Sequence, residues 1–115
     1  PLKHRLHITG SILLVEGNYL LLDEKPYRSL SALCDYCVFI QAEENLLRDR
    51  LIDRKSRGGL SKEQAEVFYE KSDRCNVQRV LHNRLNSDEV WKLCTDGGYR
   101  LISRSFDESW QTFCE

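Results

Sequence analysis

The sequence predicts an α/β fold, a parallel sheet with helices packed on its faces. Three observations carry that expectation. Apolar runs of strand length stand at Ser11–Val15, Asp35–Gln41 and Tyr99–Ser103. A long stretch with helical spacing and its own start and stop signals separates the second run from the third. Strands that alternate with helices usually return to one sheet through crossovers, which run them parallel.

The first strand is expected at Ser11–Val15, because Ile12-Leu13-Leu14-Val15 meets an acid, Glu16, and then the turn signal Gly17-Asn18. A short apolar run closed by a turn signal reads as a buried strand. An acid at its end sits where such sheets bind ligands, at the carboxyl edge; the same pattern is also met by a solvated acid that merely ends a strand. Tyr19 and Leu20–Leu22 re-enter apolar surroundings, and Asp23-Glu24-Lys25-Pro26 closes the segment. Tyr27–Leu33 reads as a short helical turn. Asp35–Gln41 is apolar on both sides of its pleat, which places it centrally in the sheet.

Ala42–Ser56 reads as a helix, with Glu43 and Glu44 at the positive end of its dipole and Lys55 and Arg57 at the negative end. Leu47 and Leu51 lie four apart and are expected to face the sheet. Gly58-Gly59 stops the helix. Ser61 with Gln64 three residues on spells a capping box, opening a helix through Ala65, Phe68 and Tyr69 that resumes through Val77, Val80 and Leu81. Asn86-Ser87-Asp88 and Gly97-Gly98 are turns, and Phe106–Cys114 reads as a terminal helix burying Trp110 and Phe113.

At 115 residues the chain fits one domain. A net charge of −1 implies no polyanion-binding surface, so nucleic acid is not an expected partner. No apolar run is long enough to span a membrane, and there is no signal-peptide pattern. A chain that opens on Pro1 reads as processed, trimmed or part of a longer one. The five cysteines are odd in number, which suits reduced thiols in the cytoplasm. Cys34-Asp35-Tyr36-Cys37 has the spacing of a redox pair or half a zinc site. It lacks a second ligand pair, and Cys37 opens a strand rather than a helix, so structural cysteines are the stronger reading. His4 and His7 could share a helix face, but no third ligand follows, and they read as exposed edge residues.

Arg50, Arg54 and Arg57 are spaced by four and three, so they share a helix face away from Leu47 and Leu51. Arginines offer fixed pairs of donors that match phosphate oxygens. The plainer reading is a solvated face paired with Asp49 and Asp53.

Taken in order, EGNYLLL, RDRLIDRKSRGGLSKEQA and SDRCN resemble the phosphoribulokinase/uridine kinase group of P-loop kinases, in its pantothenate- and fructose-kinase-like branch. The likeness runs from about Ile12 to about Leu81. A kinase of this kind needs a GxxxxGK[ST] loop to cradle phosphates, and these 115 residues contain none. The resemblance therefore implies a P-loop NTPase-like fold represented by its C-terminal half, inactive alone and weak or silent toward ATP. It implies a single domain over residues 1–115 whose complete form moves a phosphoryl group from ATP to a hydroxyl of a sugar, nucleoside or pantothenate-like acceptor.

By the same resemblance, Arg50, Arg54 and Arg57 belong to a lid that closes over the nucleotide, with Arg50 and Arg54 acting on the transferring phosphate. Glu16 helps hold Mg2+ on the nucleotide phosphates, often through water. Asn18 and Tyr19 line the acceptor pocket. Asp73 and Asn76 match a substrate-binding stretch usually written with a proline where Cys75 stands; a plainer role for both is to break or cap a helix. A three-stranded sheet would leave an apolar edge or face bare, inviting association with another chain. Two other classes fit the same residues: a non-catalytic interaction or regulatory module that keeps half of a kinase fold, and a P-loop protein that hydrolyses nucleotide.

Overall fold

The computed structural model describes residues 11–105. His4, His7 and the expected Phe106–Cys114 helix lie outside the described residues. The chain order is a 3-10 turn Tyr27–Leu33, β1 Val38–Gln41, α1 Glu44–Arg57, α2 Lys62–Phe68, a π-helical turn Tyr69–Asp73, α3 Arg74–His82, β2 Glu89–Leu93 and β3 Tyr99–Arg104.

The α/β expectation holds, but the sheet is mixed rather than parallel. Its order is β1-β2-β3, with β1 parallel to β2 and β2 antiparallel to β3. β2 was not among the expected strands. Asp96-Gly97 between two short runs is a hairpin signal that requires a strand on each side. Gly97 sits at φ +88, where only glycine is unstrained, and Gly98 N–H donates to Asp96 Oδ1 at 2.8 Å. A tight hairpin can only join antiparallel strands, which is why β3 runs against β2.

Ser11–Val15 forms no strand. Ile12 and Leu14 stand 87% and 91% exposed, and residues 12–17 carry no regular structure. A parallel strand needs hydrogen-bonding neighbours, and the described residues offer this run none. Leu21 and Leu22 are buried as expected. They are held by Leu85 N–H donating to Leu21 O at 2.8 Å and Asp23 N–H to Asn83 O at 2.8 Å.

β1 lies at the edge of the observed sheet, not at its centre. Its Phe39 is buried with Leu21 and Val90, under Cys37, Val80, Leu81 and Leu85. Burial of each such side chain contributes about 1.5–3 kcal/mol. Asp88 ties the strand ends together: its Oδ2 accepts the Cys37 N–H at 2.7 Å and its carbonyl accepts the Ser105 N–H at 2.8 Å. Across β2 and β3, buried Glu89 pairs with Arg104 at 2.6 Å. Arg104 and the Tyr36 hydroxyl hold the Glu89 carboxyl below the usual carboxylate range.

The helices obey their sequence signals. α1 ends at Gly58, whose N–H bonds back to Arg54 O, and Gly59 takes φ +115. The capping box forms in full, with Gln64 N–H to Ser61 Oγ at 3.1 Å and Ser61 N–H to Gln64 Oε1 at 3.0 Å. α1 does not face the sheet through Leu47 and Leu51. Its buried residue is Ile52, packed with Ala65 and Tyr69 and flanked by Leu51 and Val77. The Gly58-Gly59 turn folds α2 back against α1, so the apolar side of α1 is taken by its own successor. From Lys62 to His82 the chain is continuously helical, and the π turn widens it in the middle. Ala65, Tyr69 and Val77 meet α1 while Val80 and Leu81 reach the sheet.

Candidate functional site

α1 carries four of the arginines in the segment from Arg48 to Arg57, and the structure separates them by what they touch. Arg57 pairs with Asp53 at 2.9 Å, as the plain reading of that face requires. Arg48 reaches Asp49 at 3.7 Å and Glu70 at 3.8 Å, and its guanidinium lies 5.7 Å from the Tyr69 ring centre. Arg50 and Arg54 are exposed, and no described carboxylate lies within ion-pairing distance of either. One helical turn apart, they present two uncommitted cations on one face. Arg57 sits on the same side but is occupied. The sequence spacing found all three; only the structure shows which two are unclaimed.

Behind this face, α1 is locked by groups that the sequence reading did not single out. Lys55 Nζ stands 4.0 Å from the Phe68 ring centre and 3.7 Å from Asp73 Oδ2. Asp73 Oδ2 is buried and accepts no hydrogen bond. Tyr69, 2% exposed, closes the contact, and burial pushes its hydroxyl pKa up. Asp73 therefore faces α1 rather than an open pocket. It makes no capping hydrogen bond and does not break the helix, since the chain runs through it in helical conformation. Asn76, one turn on, is exposed. The one available signal was helical spacing: Lys55 lies in the last turn of α1, and the glycine pair brings the following helix back past it.

Glu16 is exposed, so no desolvation has to be offset there. Asn18 is exposed in the turn that precedes Leu22. Tyr19 is half-buried and more constrained. Its ring centre lies 5.3 Å from that of Tyr27, and the Arg79 guanidinium stands 5.8 Å over it while pairing with Glu24. No hydrogen bond, ion pair or ring contact among the described residues joins Glu16, Asn18 or Tyr19 to the α1 arginines or to Asp73.

Two shallow clefts stand out among the described residues. One, about 300 Å³, lies at the carboxyl ends of β1 and β2 and is lined by Gln41, Ala42, Glu43, Glu44, Leu81, His82 and Lys92. There Lys92 donates to Glu43 at 2.9 Å and holds its carboxyl below the usual range. Gln78 donates to Glu44 at 3.0 Å. The other, about 480 Å³, lies between α1 and α2. Neither is lined by Glu16, Asn18, Tyr19, Arg50, Arg54, Asp73 or Asn76. No group of three acidic, histidine or cysteine side chains able to hold a metal occurs among the described residues. Cys34, Cys37, Cys75 and Cys94 are all free thiols, and burial, then neighbouring Cys34, push the Cys37 thiol up. A raised pKa disfavours the thiolate that redox or metal chemistry requires, in line with a structural role. No described helix is long and apolar enough to cross a membrane.

No family model matches the chain. It is similar to the uncharacterized protein YggC of Escherichia coli (strain K12), 41% identical over 103 residues that make up 90% of this chain and 44% of that protein. An ATP-dependent kinase-like protein, notR', of Aspergillus versicolor is 27% identical over 95 residues, 81% of this chain and 53% of that one. A Schizosaccharomyces pombe protein with a provisional uridine kinase name is 32% identical over 81 residues, 69% of this chain and 34% of that one. Among solved structures, a provisionally named fructose transport system kinase of Silicibacter sp. TM1040 superposes with a TM-score of 0.62 at 31% identity. That match covers 65% of this chain and 36% of the other. The chain thus spans about half or less of the proteins it matches, and it is similar to kinase-like proteins in sequence and in fold.

Proposed function

We propose that this chain is part of a P-loop kinase that transfers a phosphoryl group from ATP to a hydroxyl of a small metabolite, and that α1 is its nucleotide lid. The observation that carries the reading is the unclaimed pair Arg50 and Arg54 on a helix whose other cations are occupied. Evolved surfaces commonly neutralise neighbouring cations with carboxylates, as Arg57 and Arg48 are here. Two bare guanidinium groups one turn apart match the paired oxygens of a phosphate chain. Similarity to kinase-like proteins supplies the reaction class.

In this reading Arg50 and Arg54 bind phosphate oxygens and stabilise the charge that builds as the bond to the leaving oxygen breaks. Arg57, released from Asp53, joins them as the lid closes. Lys55, Asp73 and Tyr69 hold the helix so that both guanidinium groups keep one orientation. The exposed Asn18 and Tyr19, whose ring is tilted against that of Tyr27, bind the acceptor, with the exposed Asn76 on the substrate side of the lid. In this reading the exposed Glu16 would supply the one protein carboxylate that Mg2+ needs, since the ion takes carboxylate oxygen, keeps several waters and is otherwise held by substrate phosphates. When bound, it neutralises phosphate charge. A reducing, cytoplasmic setting suits four free thiols.

A second reading rests on one observation. These 115 residues contain no GxxxxGK[ST] loop, which a purely binding or regulatory module would not need. An ADP-release assay separates the readings. The longest gene product that contains this chain is supplied with ATP and panels of sugars, nucleosides and pantothenate-like acceptors. ADP release that depends on one acceptor class is the expected result. Acceptor-independent release means hydrolysis, and no release with no ATP binding means the non-catalytic module.

A further inference from the structure

The Tyr19 ring is oriented from outside its own turn. Leu22 N–H donates to Tyr19 O at 3.2 Å, which fixes the backbone of the turn but not the side chain. No hydrogen bond among the described residues engages the Tyr19 hydroxyl. Two contacts hold the ring. Tyr27 lies with centroids 5.3 Å apart and planes at 44°, and the Arg79 guanidinium stands 5.8 Å from the ring centre.

Arg79 is in turn held from both ends. Its neighbours in α3, Val80 and Leu81, pack against the core of Leu21, Phe39 and Val90, so the helix is anchored where the side chain leaves it. At the far end its Nε donates to Glu24 Oε2. Glu24 belongs to the loop that follows Tyr19, and its carbonyl accepts the Arg28 N–H at 2.8 Å. That loop is docked on the end of α3, with Asp23 N–H donating to Asn83 O at 2.8 Å. A guanidinium can meet a carboxylate with its edge and an aromatic ring with its face, which an ammonium cannot do in the same way. Arg28 shows the contrast. It pairs with Asp23 at 2.7 Å in the same loop, yet both groups are exposed, and no cation–ring contact among the described residues involves it.

We infer that Arg79 is a positioning residue for the acceptor: held by Glu24, it keeps the Tyr19 ring beside Tyr27, so that the free Tyr19 hydroxyl meets the acceptor in one orientation. The inference rests on the reading of Tyr19 as an acceptor contact. A ring already ordered by its neighbours costs less to immobilise when the acceptor binds. Arg79 brings no open charge of its own, since Glu24 neutralises it. It therefore acts through Tyr19 and not on the phosphates, and no contact among the described residues joins it to Arg50 or Arg54.

Steady-state kinetics of the longest gene product that contains the chain test this, with ATP and the acceptor that supports ADP release varied in turn. Arg79→Met keeps the length of the side chain and removes its charge and fork. It is expected to raise the acceptor KM about fivefold or more and to leave the ATP KM within about twofold, as loss of a partly desolvated cation–ring contact requires. Glu24→Gln unties Arg79 and is expected to move the acceptor KM in the same direction. Arg79→Lys is expected to recover part of the loss, because it restores the charge without the fork. Arg28→Met is the control, breaking a pair in the same loop that does not touch Tyr19, and its acceptor KM is expected to stay at the wild-type value. Fluorotyrosine labelling adds a readout apart from turnover. The Tyr19 fluorine resonance, identified by its absence in Tyr19→Phe, is expected to shift in Arg79→Met and to stay in place in Arg28→Met. An acceptor KM indifferent to Arg79→Met overturns the inference and leaves the kinase reading standing. A parallel rise of both KM values with a lower melting temperature also overturns it, because Arg79 would then serve folding alone. A product that neither binds ATP nor releases ADP overturns the kinase reading, and the inference with it.

Discussion

Replacing Arg50 or Arg54 with alanine separates a phosphate-binding face from a merely solvated one. Both side chains are exposed and neither has an ion-pair partner among the described residues, so folding has little to lose. Surface substitutions of that kind usually stay within about 0.5 kcal/mol. At about 4–8 °C per kcal/mol for a domain of this size, the melting temperature should move by no more than a few degrees. Binding has more at stake, because a hydrogen bond to a charged group is worth about 1.5–3 kcal/mol. At 1.4 kcal/mol per decade, that is roughly a tenfold to hundredfold loss of ATP affinity for each arginine. Turnover should fall further, since arginines on a transferring phosphate are worth roughly a thousandfold or more. Arg48→Ala is the control: it loses Glu70, Asp49 and the Tyr69 ring, and should cost stability while affecting affinity less. The assay pairs thermal unfolding by circular dichroism with calorimetric ATP titration and steady-state turnover of the longest gene product. If Arg50→Ala and Arg54→Ala keep wild-type affinity and turnover, the two arginines are only surface charges and the lid reading fails.

Glu16→Gln keeps size and removes charge at an exposed position; it should leave the melting curve unchanged and raise the Mg2+ concentration needed for half-maximal turnover, and an identical Mg2+ titration would exclude the metal role. Ser61→Ala removes the observed capping box and should cost about 1 kcal/mol of stability, read as a lower denaturant midpoint at unchanged slope. Glu89 has a depressed folded pKa because Arg104 and Tyr36 bind its charged form, so its contribution is fully present above the ordinary glutamate value of about 4.3 and disappears as pH falls through the folded value. Melting temperatures of wild type and Glu89→Gln should therefore differ at pH 7 and converge toward pH 3; a constant gap across that range would show that the pair contributes through packing alone.

The helical half of the molecule was legible because its signals are local. Glu44 and Lys55 at opposite ends of α1, the Gly58-Gly59 stop and the Ser61/Gln64 box act within a few residues of themselves, and each formed as written. The spacing that put Arg50, Arg54 and Arg57 on one face is equally local. The sheet was read less well. β2 was missed: the Asp96-Gly97 turn was a signal for a strand before it, but the Glu89–Leu93 run itself is too short and mixed to stand out. Ser11–Val15 has strand composition, yet composition supplies no hydrogen-bond partner, and without one the run lies open. Strand direction depends on whether a connection is a hairpin or a crossover, so β3 turned antiparallel at its glycine pair. Pairing between distant segments was beyond the sequence for the same reason. Lys55 meets Asp73, and Arg48 meets Glu70, only because a π turn and a glycine stop set two helices side by side. Residue types and spacing determined which charges this chain carries and on which face; tertiary packing alone decided which of them are neutralised, because an ion pair needs two groups within a few ångströms whatever their separation along the chain.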